Sequence, residues 1–243
     1  MLLPGWGKEN KNLSDLQTVL EKLNALAKPE NLEGMAHFAI IGENRLGIAI
    51  PELRKLAKEI GKDHTLALEL WRTNIPEARI LASMIDIPEK VTEAQLEEWV
   101  ADFNAWDICD QVCMNLFENV PAAIAKIPAW VEREEEFVRR TPFSLIACLA
   151  WHNKQAPDDY FIAFFPLLKQ AAPDERNFVK KAVNWALRNI GKRNPSLNQA
   201  AIQFAEELQK IDSKSARWIA AGALRELRSD AVQKRVRERP ISR

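Results

Sequence analysis

The chain has 243 residues, 34 Lys and Arg balanced by 34 Asp and Glu, and 47% hydrophobic residues. That composition supports a sizeable core and excludes global disorder. No apolar run approaches the roughly 20 residues needed to span a bilayer. The opening MLLPGWGKEN lacks a basic patch followed by an apolar stretch, so no export is expected and a cytoplasmic location is. Without an export route, the Asn12-Leu13-Ser14 glycosylation pattern carries little meaning.

The neutral total conceals an asymmetry. Residues 1–120 carry 12 Lys and Arg against 20 Asp and Glu, whereas residues 121–243 carry 22 against 14. A chain polarised in this way can bind a polyanion with its basic half, or its two halves can simply attract each other.

Hydrophobic periodicity is helical almost throughout. The first amphipathic stretch opens at Leu13 and runs to about Ala27, with Leu16, Leu20, Leu23 and Ala27 at helical spacing. Pro51-Glu52 starts another, with Pro in the first turn and Leu53, Leu56 and Ile60 on one face. Further helices are predicted near 64–72, 77–86, 93–103, 105–118, 121–131, 134–152, 158–170, 174–192, 195–211 and 213–227. Prolines and short polar clusters separate many of them. The short Leu46–Ile50 segment offers the longest alternation of period two, and a loop explains it as well. About a dozen short helices, pairing every ~35–45 residues, predict an all-α chain, an α-α superhelix of HEAT or armadillo type. No linker is long enough to divide it, so one domain over residues 1–243 is expected.

Cys109, Cys113 and Cys148 are too few and too apolar in context for a disulfide framework. Cys109 and Cys113 share a helix face and in principle grip a metal, but His37, His64 and His152 lie far away in sequence and no CxxC occurs. Buried free thiols are expected, with no metal and no organic cofactor.

Three stretches place polar and aromatic residues together. In the helix beginning at Phe178, Lys181, Trp185, Arg188 and Lys192 fall within a ~60° sector, with Val179, Val183, Ala186, Leu187 and Ile190 opposite. Residues 176–193 hold six Lys and Arg and no acid. An indole among cations suits nucleic acid, the cations meeting phosphates and the ring packing on a sugar or base. The alternative is basic stems that merely cover the indole. In the second stretch, Trp106 and Asp110 are i,i+4 neighbours on a stripe continued by Cys113 and Phe117, so Asp110 is a carboxylate on an apolar strip that needs a partner or a task. Asp107 lies ~100° around the helix, and either aspartate can instead cap or form an ion pair. In the third, Arg140, Ser144, Ala147 and Trp151 share a face; Arg140 clamps a phosphate or pairs with Asp110, with Glu134–Glu136 as local alternatives. Residues 214–243, with nine Lys and Arg and three acids, form another candidate phosphate stripe. No nucleotide-binding glycine loop, nucleophile elbow or HExxH is present, which disfavours kinase, serine hydrolase and zinc peptidase.

These segments together resemble the bacterial DNA alkylation repair family of AlkD-type alkylpurine DNA glycosylases. The matching pieces are Met35-Ala36-His37-Phe38, Leu46-Gly47-Ile48 with Pro51-Glu52, Trp106-Asp107 with Asp110, Arg140, and Lys181-Ala182 with Trp185, Leu187-Arg188, Lys192 and Asn194-Pro195. The resemblance implies a C-shaped stack of HEAT-like repeats that hydrolyses the N-glycosidic bond of cationic alkylated purines, such as 3-methyladenine and 7-methylguanine, in duplex DNA. On that pattern Asp110 is the catalytic carboxylate, Trp106 and Trp185 pack beside the lesion's deoxyribose, and Arg140 contacts a phosphate. Lys181, Arg188 and Lys192 line the DNA. Phe38 falls where the family often has a DNA-contacting tyrosine, here without the hydroxyl. Thr141-Pro142 departs from the small helix-forming residues expected after the arginine, and an interior proline is expected to kink the helix and re-aim Arg140. The expected partner is double-stranded DNA with alkylated bases, with no membrane, no obligate protein partner and a monomeric chain. Relatives in the superfamily bind branched DNA or lack base excision, which leaves a non-catalytic DNA-binding protein as the alternative.

Overall fold

The computed structural model describes residues 15–238. The Asn12-Leu13-Ser14 pattern and the last cations of the C-terminal stripe, Arg239 and Arg243, lie outside them. The described residues are helical and contain no strand: α1 (Leu16–Ala25), α2 (Leu32–His37), α3 (Ile50–Ile60), α4 (His64–Arg72), α5 (Pro76–Ile85), α6 (Glu93–Ala101), α7 (Trp106–Asn115), α8 (Pro121–Ala125), α9 (Ile127–Val131), α10 (Glu136–His152), α11 (Asp158–Ile162), α12 (Phe165–Ala171), α13 (Asn177–Gly191), α14 (Pro195–Leu208), α15 (Lys214–Leu227) and α16 (Asp230–Arg237). Short 3-10 turns cover Pro29–Asn31, Pro88–Lys90 and Phe117–Asn119. Local chemistry sets many of the starts. The side chains of Asp15, Asp63, Thr92, Asn194, Ser213 and Ser229 each accept a first-turn amide, a contact worth about 1 kcal/mol apiece.

Two compact units meet in sequence between Lys90 and Val91. In the first, α5 packs on α3 and α4, and α1 on α4 and α5. Its core joins Val19, Leu23, Leu53, Leu66, Leu70, Trp71, Leu81 and Ile85. The Leu46–Ile50 segment is a loop that ends where α3 begins at Ile50, with one buried polar anchor. The Glu77 carboxylate, 1% exposed, accepts the backbone amides of Leu46 at 3.1 Å and Gly47 at 2.9 Å. Gly47 sits at φ +72°, and a Cβ there would lie 2.2 Å from the Lys28 carbonyl oxygen. Gly47 is therefore demanded by the turn.

In the second unit α10 is the central helix, flanked by α7 on one side and α13 on the other, with α15 packed beyond α13. These four form one layer. α6, α9, α12 and α14 pack against its members and supply the second layer. Phe143, Leu145, Ile146, Val179, Val183, Leu187 and Ile190 are fully buried between them. This is a stack of paired helices of HEAT-like type.

Proline acts in two ways here. The predicted helices at 121–131 and 158–170 each break in two, at exposed Pro128 and Pro166, which cannot donate to the carbonyl four residues earlier. Pro142 has the same defect, yet α10 runs unbroken for 17 residues. Pro142 is buried, and packing from α7 and α13 holds the helix where the exposed short helices yield. α2 and α16 were outside the sequence-predicted helices; both are short, and α16 carries its apolar stripe on Val232 and Val236 alone.

Candidate nucleic-acid interface

The central layer of the second unit brings the sequence-predicted residues onto three neighbouring helices. Trp106 and Asp110 lie on α7, Arg140 and Ser144 on α10, Lys181, Trp185 and Arg188 on α13, and Lys192 at its C-cap. Phe38 lies in the first unit, at the end of α2, and is 73% exposed.

Asp110 is nearly buried, its side chain 12% exposed. Its Oδ1 accepts from Arg140 Nε at 3.1 Å, Arg140 Nη2 at 3.0 Å and Ser144 Oγ at 2.7 Å, and its Oδ2 accepts from Arg140 Nη2 at 2.8 Å. Arg140 Nη1 also donates to the Phe178 carbonyl at the start of α13. Arg140 thus ties α7, α10 and α13 together at one point. Burial pulls its guanidinium toward neutrality, but the Asp110 charge outweighs that, and the group is held above its ordinary value. Of the two roles open to Arg140 in the sequence, the pairing with Asp110 is the one formed. A phosphate would reach this guanidinium only by displacing Asp110 or the Phe178 carbonyl. Pro142 does not turn Arg140 away from Asp110.

The neighbouring thiols sit beneath this pair. Cys109, Cys113 and Cys148 are free and buried. Cys109 Sγ lies 3.5 Å from Thr141 Oγ1, and Cys113 Sγ donates to the Thr141 carbonyl. Burial pushes the Cys113 and Cys148 thiols well above their usual range. Among the described residues no group of three or more His, Cys, Asp or Glu is placed to hold a metal.

On α13, Lys181 is exposed and Trp185 half-buried, on the side opposite the core residues Val183, Leu187 and Ile190. Arg188 and Lys192 are partly covered by a residue absent from the sequence-level site. Glu226, on α15, accepts from Arg188 Nη1 and from Lys192 Nζ, the latter at 2.8 Å. Burial alone would raise the Glu226 carboxyl; hydrogen bonds and charge from the two cations outweigh it and hold it below its ordinary value of 4.5. Two more indoles join the surface of this unit. Trp218 on α15 is 46% exposed with the Lys180 ammonium 5.6 Å above its ring, and Trp151 at the end of α10 is 55% exposed. Trp151 was legible on the Arg140–Ser144–Ala147 face; Trp218 and Glu226 fall in the 214–243 stretch, which the sequence marks by its excess of nine cations over three acids without singling out either residue.

A carboxylate fixed by an arginine and a serine, two partly exposed indoles and a stripe of cations can bind a phosphodiester strand and offer a negative group to a sugar. Comparison with known proteins agrees with that class. The family model described as DNA alkylation repair enzyme matches residues 19–227. An uncharacterized protein, Lin0241 of Listeria innocua, is 23% identical over 168 residues, covering 68% of this chain and 73% of that one. A solved structure described as belonging to a new family related to the HEAT-like repeat DNA glycosylases, with affinity for branched DNA structures, superposes with a TM-score of 0.72 at 19% identity, covering 93% of this chain and 99% of that chain. AlkD2 from Streptococcus mutans superposes at 0.59 with 17% identity, covering 88% of this chain and all of its own.

Proposed function

Because the chain belongs to the DNA alkylation repair enzyme family, we propose that it is a DNA glycosylase that hydrolyses the N-glycosidic bond of cationic alkylated purines, such as 3-methyladenine and 7-methylguanine, in duplex DNA. An N-alkylated purine already carries positive charge and leaves as a neutral base. No general acid is needed at the base, and the hydrogen bonds to Asp110 come from Arg140 and Ser144. As the bond stretches, positive charge grows on the sugar. A carboxylate near C1′ stabilises it and orients the water that adds there, releasing a proton to solvent. The observation that carries the reading is Asp110 itself: a carboxylate that Arg140 and Ser144 hold in one orientation, with part of its surface still exposed and Trp106 one turn before it. Indole faces on the sugar add a cation–π attraction of about 1–2 kcal/mol as charge develops. Lys181, Arg188 and Lys192 meet the phosphates, and Phe38 packs on the DNA without the hydrogen bond a tyrosine would make.

The test is mass-spectrometric detection of bases released from methylated duplex. Wild type should release 7-methylguanine, and Asp110→Asn should release none while duplex binding persists. Absence of release by wild type from heavily methylated DNA would sink the glycosylase reading.

One observation favours a second reading, a non-catalytic protein for distorted or branched DNA. Arg140 neutralises Asp110 at both oxygens, and a paired carboxylate stabilises an oxocarbenium ion less than a free one. The structural relative described as having affinity for branched DNA is consistent with it. That reading expects tight, salt-sensitive junction binding with no base release.

A further inference from the structure

At the end of α10 the surface folds into a cleft of about 90 Å³, lined by Ala150, Trp151, Lys154, Asn189, Lys192 and Arg235. Three cations converge on it from three places in the chain: Lys154 in the turn after α10, Lys192 at the C-cap of α13, and Arg235 on α16. Asn189 Nδ2 donates to the Ala147 carbonyl at 3.1 Å and Arg193 Nη1 to the Ala150 carbonyl at 2.9 Å, so α13 and the residue just past its C-cap tie down the last turns of α10. The carboxylates nearby are already engaged: Glu226 with Lys192 and Arg188, and Glu118 with His152 beside Trp151. Lys154 Nζ donates to the Trp151 carbonyl, which keeps it at the rim; the lining itself carries three cations and no carboxylate, which suits a phosphate.

Trp151 decides which phosphate. Its indole is exposed at the rim. A base inside a duplex has both faces covered by its neighbours, so only an unpaired or terminal base can offer a face to an indole. We propose that this cleft binds one unpaired nucleotide of a DNA strand, its phosphate among Lys154, Lys192 and Arg235 and its base stacked on Trp151. The inference rests on the reading that the chain binds DNA, and extends it: the protein grips a single-stranded segment adjoining the duplex, at a site separate from Asp110 and served by Trp151, Lys154 and Arg235.

The experiment compares fluorescence anisotropy titrations on a blunt duplex and on the same duplex with a short single-stranded overhang. Wild type should prefer the overhang substrate. Trp151→Ala should lower affinity for it about tenfold, the loss of one stacked base, while blunt-duplex affinity, where only the paired ends offer a face, falls much less; Trp151→Phe should keep most of the preference. Lys154→Ala and Arg235→Ala should each reduce the salt slope on the overhang substrate by about one. Thermal melting of each variant, all at exposed positions, confirms that folding is unchanged. Equal loss on both substrates, or no loss on either, overturns the proposal and leaves duplex binding standing. A wild type that binds neither substrate overturns the DNA reading along with it.

Discussion

Arg140 reaches from α10 to Asp110 on α7 and closes three hydrogen bonds of 2.8–3.1 Å on its two carboxylate oxygens. Both side chains are close to buried, at 5% and 12% exposure. Such a pair adds little net stability over an apolar pair of similar volume, because both charges have lost their water. Breaking it from one side is a different matter. A guanidinium left buried without its partner destabilises the fold by about 3–5 kcal/mol.

Asp110→Ala should therefore lower stability in urea unfolding by about 3–5 kcal/mol, and the double change Asp110→Ala with Arg140→Met should recover most of that loss. A single variant as stable as wild type would show that the pair does not hold α7 to α10. Asp110→Asn keeps the shape and one acceptor oxygen, so it should lose less stability than Asp110→Ala. That makes it the variant for the base-release test, where loss of activity must not be loss of fold.

Glu226 pairs with both Arg188 and Lys192, the cations proposed above to meet the DNA backbone. Its folded pKa is depressed below 4.5. A depressed carboxylate binds fewer protons folded than unfolded, so its stabilisation is present above the unfolded value and fades as pH falls from there through the lower, folded value. The melting temperatures of wild type and Glu226→Gln should differ at neutral pH and converge on acidification below about pH 4.5. The same variant releases two cations toward DNA. Duplex affinity should rise at low salt, and the salt slope should steepen by about one to two phosphates. Unchanged affinity and slope would show that Arg188 and Lys192 do not meet the backbone.

Most helices were legible because each carries an apolar stripe at period 3.6. α3, α4, α5, α13, α14 and α15 begin and end within a few residues of their sequence-predicted bounds. The split helices at 121–131 and 158–170 turn on local prolines; where a side chain's partner was missed, the deciding contact is made by residues far apart in the chain. Arg140 and Asp110 are 30 residues apart, so the stripe on each helix could show a candidate but not the pairing. Glu226 acts on cations 34 and 38 residues away, and α15 taken alone shows an ordinary acid among basic neighbours. Glu77, in the first turn of α5, is buried against the Leu46 and Gly47 amides 31 and 30 residues away.

Pro142 gives a prediction with the opposite sign from most core substitutions. It lies inside α10, where proline leaves a carbonyl without its helical donor and is intrinsically less favourable than alanine by about 3 kcal/mol. Removing proline also frees the unfolded chain, which offsets about 0.4–1 kcal/mol, and some buried contact is lost. Pro142→Ala should raise stability by about 1–2 kcal/mol by urea unfolding. The Arg140–Asp110 pair should survive, so duplex affinity should stay within about twofold of wild type, well inside the tenfold that 1.4 kcal/mol represents. Destabilisation would mean that the pyrrolidine ring's packing outweighs the missing hydrogen bond.

In the first unit the Leu46-Gly47-Ile48 segment makes a prediction with its own control. Gly47 combines a left-handed backbone with a carbonyl 2.2 Å from where a Cβ would stand, and that carbonyl belongs to the backbone of Lys28 rather than to a flexible side chain. The turn is locked from both ends, since Lys28 N–H donates to the Leu46 carbonyl at 2.7 Å and Asn31 Nδ2 to the Gly47 carbonyl at 2.9 Å. Gly47→Ala must either move Lys28 or leave the left-handed region, and leaving it pulls the Gly47 amide from Glu77. The expected loss is about 2–4 kcal/mol, combining backbone strain with a buried carboxylate deprived of a donor. Gly34, in α2, has nothing within 4 Å of its Cβ position and ordinary helical geometry. Gly34→Ala should accordingly stabilise by about 0.5–1 kcal/mol. Urea unfolding of the two variants side by side separates a glycine the turn requires from one the helix merely tolerates, and equal effects at both positions would refute the requirement at Gly47.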